Sequence, residues 1–362
     1  GHNYHVRNHV SRAWESQQAV RRALFIVMTI AFGAFAGAFV WAFFFLMNAG
    51  IQLLWDVVPT SLAAAGLPAV LYPIVFCTLG GLCIGLFAKR FGPYPDDMNT
   101  VMAQVKSKGR YEYRHLGASF FGALFPLLFG GSIGPEAGLT GVIAGLCTWV
   151  GDRLRFMGAE MRELAEAGCA AAISAIFSTP LFGLAVPVFG SVDESNGSRP
   201  VSEIRLDVSK PVKIVVYVLA AAGAMGMMAL LGSIFGRSGG LPHFSDIALG
   251  PLELLWALPL VAIGAVAGWL YFPFGTLARK LSALMGNHVI VKPALAGLVL
   301  GALGVALPFV LFAGEAQTEE LSLTWTTIGA GLLIATGFVK VFATQLCLNM
   351  GWRGGHFFPI IF

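Results

Sequence analysis

Two short stretches in this chain have the residue types that could hold an ion without any covalent chemistry. Ser132, Ile133, Gly134 and Pro135 follow the pair Gly130-Gly131, and Gly355, His356, Phe357, Phe358 and Pro359 lie close to residue 362. Gly and Pro interrupt a helix, and the helix that restarts beyond them opens with N–H groups that have no partner and carry the positive end of its dipole. Two such ends aimed at one point could bind a monovalent anion through backbone amides. A full positive charge would hold the anion too tightly for passage. Broken helices in corresponding positions of two halves are the pattern of inverted-repeat transporters.

Other residue types with chemical potential read more plainly. His2, His5 and His9 lie in a polar terminus, as tag remnants or flexible residues do, and are not expected to hold a metal. Asp96 and Asp97 resemble a metal pair on paper, but they precede a short helix start at Met98 and suit helix capping better. The five cysteines, Cys77, Cys83, Cys147, Cys169 and Cys347, sit in apolar runs without CxxC spacing. They read as buried small hydrophobes with free thiols. Asn196-Gly197-Ser198 matches a glycosylation acceptor by a short pattern common by chance. Trp14, Trp41 and Trp55 suit interfacial or lipid contact, not base stacking, and no nucleic-acid partner is expected. No cofactor, metal or enzymatic reaction is indicated.

The elements that must position the two breaks are membrane helices. Apolar residues make up 57% of the chain and charged residues 12%, where a soluble domain carries about a quarter, so a water-facing surface could not be covered. The mean hydropathy is +0.76, and the 45 glycines suit close helix approach in lipid. Residues 1–22 read as a cytoplasmic arm, and the apolar run from Ala23 to about Trp55 as a long, tilted helix. Leu67 to Phe87 crosses next. Lys106, Lys108, Arg110 and Arg114 then mark a cytoplasmic side by the positive-inside rule. The runs from His115 to Gly130 and from Gly134 to Val150 fall short of the roughly 20 residues a crossing needs, as interrupted helices do. Further apolar runs are Ala165 to about Gly190, Ile214 to Ile234, Leu254 to Tyr271, Pro293 to Phe312 and Trp325 to Met350, with an acidic loop at Glu315, Glu319 and Glu320. Gly351 to Phe362 looks like the start of another helix.

Three segments, in order, resemble the CLC chloride channel and proton-coupled chloride transporter family. Gly131-Ser132-Ile133-Gly134-Pro135 is similar to its Gly-Arg/Lys-Glu-Gly-Pro motif with both central residues changed. Ile176-Phe177-Ser178-Thr179-Pro180-Leu181-Phe182-Gly183 resembles its Phe-Asn-x-Pro-Leu-Ala-Gly stretch, and Gly355-His356-Phe357-Phe358-Pro359 resembles its Gly-x-Phe-x-Pro segment. The resemblance implies an all-α polytopic membrane protein with an inverted-topology repeat of broken, tilted helices. The divisions expected are an N-terminal arm at 1–22, a first repeat at 23–235, a connecting loop at 236–250 and an incomplete second repeat at 251–362. It also implies a homodimer with one anion pathway per subunit, in a prokaryotic plasma membrane with the N-terminus cytoplasmic. Backbone amides at Ile133, Gly134, His356 and Phe357 would face the anion.

Departures from the family pattern bear on mechanism. The motif glutamate, which competes with the anion and takes up protons, is replaced by Ile133, which does neither. Glu136 lies three positions on, within the first helical turn, where an acid suits the helix start and would point elsewhere. The internal proton glutamate would fall at Phe189 or Gly190, neither acidic, with Asp193 and Glu194 close by in polar surroundings. The family's Gly-Ser-Gly-Ile-Pro motif is matched best by Phe91-Gly92-Pro93-Tyr94-Pro95, where Gly92 supplies no hydroxyl. Met98 and Ile133 could form an apolar constriction. Passive, uncoupled conduction of small inorganic anions such as chloride is therefore expected. Proton-coupled exchange and a non-transporting scaffold that kept the fold are the alternatives.

Overall fold

A computed structural model describes the backbone of residues 2–154, 159–179, 210–242, 244 and 247–362. Helix α1 runs His2–Gln52 and passes through a π-helical turn, Leu53–Val57, into α2, Val58–Ala64. Residues 2–22, expected as a separate arm, are the opening turns of α1, because neither Gly nor Pro occurs between His2 and Phe32 to interrupt it. There follow α3, Tyr72–Phe91; α4, Met98–Lys108; α5, Leu116–Leu128; α6, Glu136–Arg153; and α7, Ala159–Phe177. Then come α8, Lys210–Phe235; α9, Pro251–Leu284; and α10, Val291–Ala306. The last are α11, Glu315–Thr324; α12, Ala330–Asn349; and α13, Phe357–Ile361.

The acidic stretch after Gly314, expected as a loop, is the helix α11. Gln317 Oε1 accepts the Gly314 N–H at 3.1 Å, and the Thr318 hydroxyl donates to Gly314 O at 2.7 Å, so local side chains cap its first turn. The Asp97 carboxylate accepts the Thr100 N–H at 3.3 Å and caps α4, as its place before Met98 predicts.

Five helical stretches among the described residues are long and apolar enough to cross a membrane: Glu15–Ala64, Ala69–Phe91, Pro211–Phe235, Pro251–Leu284 and Ala330–Asn349. Helix α9, at 34 residues, is about 50 Å long and exceeds the roughly 30 Å hydrocarbon core, so it must tilt. Trp256 and Trp269 on it are 64% and 67% exposed, which in lipid costs nothing. Four cysteines are buried free thiols as expected; Cys83 is also free but exposed on the apolar helix α3.

The chain divides into two compact units that interleave in sequence. The first comprises Gly1–Trp41, Met102–Tyr111 and Ile143–Arg237, and the second Ala42–Val101, Glu112–Val142 and Ser238–Phe362. Within the first, Gly33 and Gly37 on α1 lie against Ala220 and Ala224 on α8, so closely that a Cβ on Gly33 would stand 2.0 Å from Ala220 O. In lipid, small residues spaced one turn apart bring backbones together where no hydrophobic force does. Helix α7 packs on α8, where Tyr217 donates its hydroxyl to the buried Glu166 and the Lys213 ammonium stands 3.9 Å from both Glu163 and Glu166.

The second unit is organised by antiparallel α3 and α10. A Cβ on Gly81 would stand 2.1 Å from Pro293 O, one on Gly297 2.2 Å from Cys77 O, and one on Gly301 2.6 Å from Pro73 O. Substituting Gly81→Val must force these backbones apart, at a cost of about 1–3 kcal/mol or more. We expect it to lower the melting temperature of the detergent-purified protein, while Gly264→Ala, which meets nothing within 4 Å, leaves it unchanged.

Candidate functional site

Both breaks lie in the second unit, and the structure satisfies the backbone that they expose. At the end of α5, the Trp55 indole donates to Leu128 O at 2.8 Å, the Cys77 thiol to Phe129 O at 3.3 Å and the Phe312 N–H to Gly130 O at 3.1 Å. Carbonyls that would be orphaned at a helix end thus each find a donor from a different segment. Past α12, Trp352 is fully buried; its indole donates to Pro293 O at 2.9 Å, and its ring lies against Gly131 of the first break. Trp352 therefore ties both breaks to the α3–α10 pair.

The breaks are joined directly. Gly134 N–H donates to Gly355 O at 2.7 Å and Gly355 N–H to Gly134 O at 2.8 Å, an antiparallel bridge of one residue pair. This corrects one expectation: the Gly134 amide is spent on Gly355 and is not free to face an anion. Glu136, the first residue of α6, reaches into this junction. Its Oε1 accepts the Phe357 N–H at 2.7 Å, with the Phe358 N–H also directed at the carboxylate. The side chain is fully buried, and Oε2 has no partner among the described residues. A Cβ at Gly134 would stand 1.9 Å from Oε2, and one at Gly355 1.9 Å from Oε1, so glycine at both positions is what admits the carboxylate. The expectation that Glu136 points elsewhere is thus also corrected. A helical side chain leans back toward its own N-terminus, which is where the facing break lies.

A cavity of about 490 Å³ opens onto Glu136 and Phe357, and Pro93, Asp96, Asp97, Met98, Lys292, Arg353 and His356 are among its lining residues. The cations Lys292 and Arg353 and the acids Asp96 and Asp97 are all on its wall, and the Arg353 guanidinium donates to Pro95 O at 3.5 Å. The His356 ring stacks on Phe357 with centroids 4.8 Å apart. The structure thus brings Pro93, Met98, Glu136, His356 and Phe357 to one cavity. Gly92 is not on its wall; it closes α3 with φ +99°. Ile133 is not on its wall either, being fully buried with its Cδ1 against Gly354, so it forms no constriction with Met98 there. Phe189, Gly190, Asp193 and Glu194 fall outside the described residues, as does Pro180 onward in the second motif. No cluster of three or more metal-ligating side chains occurs among the described residues.

Broken apolar helices whose glycine turns meet are the pattern expected of transporters. Residues 80–362 match the profile of the voltage gated chloride channel family, and the chain belongs to that family. A curated relative from Salmonella newport, named "Putative ion-transport protein YfeO", is 27% identical over 330 residues, covering 86% of this chain and 71% of its own length. A Salmonella choleraesuis protein of the same name is 26% identical over the same extent. Among solved structures, a slow cyanobacterial Cl-/H+ antiporter superposes with a TM-score of 0.69 at 18% identity, covering 92% of this chain and 76% of its own. A CLC-type fluoride/proton antiporter superposes at 0.61 with 21% identity, covering 93% and 78%. The fold is therefore the all-α, polytopic CLC fold with long, tilted helices, and the chain's general activity is anion transport across a membrane.

Trp352 belongs to none of the motifs; a Trp inside a glycine-rich turn is the signal that marks it in the sequence. Replacing Glu136 tests the junction directly. Glu136→Gln retains an acceptor for the Phe357 N–H, whereas Glu136→Leu removes that acceptor from the junction, a loss of about 1–3 kcal/mol. We expect the Leu variant to melt clearly below the Gln variant in detergent.

Proposed function

We propose that this chain is a proton-coupled transporter of small inorganic anions, in which the Glu136 carboxylate competes with the anion for the amides of the second break. One observation carries this reading: the buried Glu136 carboxylate accepts the Phe357 N–H at 2.7 Å across the junction of the two breaks. A carboxylate is itself a monovalent oxyanion, so a group that satisfies amides facing an anion site stands where the anion would. Protonation removes its charge and weakens its hold on the amides, and an arriving anion can then take them. Anion and proton would thereby bind in linked fashion, as exchange requires. The reading agrees with the names of the two solved neighbours, which are proton antiporters of chloride and of fluoride.

Uncoupled conduction is the second reading, favoured by Ile133 at the motif's glutamate position and by the absence of an acid at Phe189 and Gly190. The two-repeat division at residues 236–250, a homodimer, and a bacterial membrane with a cytoplasmic N-terminus belong to the proposal. Lys89, Arg90, Lys292 and the Arg279-Lys280 pair support one cytoplasmic face by the positive-inside rule.

Reconstitution of the complete protein in liposomes at clamped voltage, recording anion and proton movement together, separates the readings. Wild-type protein should move anions with a fixed accompaniment of protons, and Glu136→Gln should continue to move anions while proton movement falls by about tenfold or more. Wild-type anion flux without protons would hand the site to uncoupled conduction. Absence of any selective flux would leave the scaffold alternative.

A further inference from the structure

In the second unit, two buried carboxylate oxygens have no hydrogen-bond partner among the described residues. One is Glu136 Oε2, and the other is Oε2 of Glu315, the first residue of α11, which is 7% exposed. The turn that carries Glu315 is built into the junction of the breaks. Phe312 N–H donates to Gly130 O of the first break, and a Cβ on Gly314 would stand 2.5 Å from Phe362 Cβ, just past α13. Gly314, with φ +109°, is what permits that approach. Helix α13, five residues and about 7 Å long, therefore has Glu136 on its first amide and the Gly314 turn at its far end.

The two acids differ in what holds their charge. Glu136 accepts the Phe357 N–H at 2.7 Å with the Phe358 N–H also directed at it, and such donors favour the ionised carboxylate. Glu315 joins no ion pair among the described residues, and its Oε2 accepts nothing. Lys340 of α12 donates to Phe312 O, three residues before it, at 2.9 Å and forms no ion pair with it. Glu319, one turn further along α11, is exposed, and α13 brings no ionisable side chain. Burial first, and the charge of Glu136 second, raise the Glu315 carboxyl to about 8, so the two acids sense each other. Buried acids that repel in this way hold one negative charge between them more readily than two.

We propose that Glu315 is a second proton-binding residue of the site, which holds a proton while Glu136 is ionised and yields it to Glu136 when an anion takes the amides. The inference rests on the proposed competition between Glu136 and the anion. In the exchange one O–H bond breaks at Glu315 and one forms at Glu136, so a negative charge passes from Glu136 to Glu315 and nothing is oxidised or reduced. Glu136 is on the cavity wall and Glu315 is not, while Ala316, Glu319 and Glu320 beyond it on α11 are exposed. Glu315 thereby gives the proton an approach from the α11 end of the junction, apart from the cavity.

Infrared titration of the full-length protein in detergent reads the proton directly. Near neutral pH, Glu315→Gln should remove one carboxylic-acid C=O band, and in Glu136→Gln that band should titrate about one pH unit lower or more, because the repelling charge is gone. A folded Glu315→Gln that retains every such band, or a band that does not move in Glu136→Gln, overturns the proposal. If Glu315→Gln does not fold, Glu136→Gln alone decides: a carboxylic-acid band that titrates lower than in wild type upholds the shared charge, and an unmoved one overturns it. In liposomes at clamped voltage, the ratio of protons to anions moved should fall about tenfold in Glu315→Gln and recover in Glu315→Asp, a pattern that a merely structural acid would not give. Wild-type flux that is coupled to protons and keeps its ratio in Glu315→Gln overturns the Glu315 assignment alone. Wild-type anion flux without protons overturns the proton-coupled reading and the assignment together.

Discussion

An interrupted helix inside a membrane leaves backbone N–H and C=O groups that lipid cannot satisfy, and the second unit of this protein is arranged around meeting that demand. The carbonyls closing α5 are capped by Trp55, Cys77 and Phe312, which belong to three different segments. The glycines of the two breaks pair with each other, and the first amide of α13 is taken by Glu136. Each of these bonds is long-range in sequence, so the breaks persist only when the whole unit is assembled. That dependence makes the close α3–α10 contact a requirement of the site: Trp352 donates to Pro293 O, which lies against Gly81 of α3.

The same constraint gives the site its chemistry. Amides left over after the breaks pair with each other must face something, and in the structure they face a carboxylate. The Gly134–Gly355 bridge consumes two of the N–H groups at the breaks, and those of Phe357 and Phe358 are directed at the Glu136 carboxylate. The junction admits this carboxylate because glycine alone leaves the space, as the 1.9 Å approaches of notional Cβ atoms to Glu136 make plain.

Much of the fold was legible in the chain because membrane helices announce themselves by length and apolarity, and both breaks were visible as Gly/Pro clusters. The misreadings have particular causes. The polarity of residues 2–22 suggests an arm, yet polarity does not end a helix, and no Gly or Pro lies between His2 and Phe32 to do so. The acids from Glu315 to Glu320 suggest a loop, yet Gln317 and Thr318 cap them into α11. At the site, a backbone amide carries no sequence signal of whether another backbone group already holds it, so the loss of the Gly134 N–H to Gly355 was invisible. Lys340 meets Ser132 and Trp352 meets Pro293 across more than fifty residues, a relation that spacing within one helix does not express.

Glu136 shows most clearly how position in sequence and position in space part company. The family motif puts its glutamate where Ile133 stands, and reading by register alone removes the carboxylate from this protein. Ile133 instead fills apolar space against Gly354, and the acid enters from the first residue of α6. Side chains on a helix lean toward its N-terminus, so a glutamate at the start of α6 is directed back at the facing turn, and its flexible stem covers the remaining distance. What the amides of Phe357 and Phe358 recognise is a carboxylate at a point in space. A displacement of three residues along the chain is absorbed by the geometry of one helix start, and on the proposed reading the competition between acid and anion survives the loss of the motif that usually announces it.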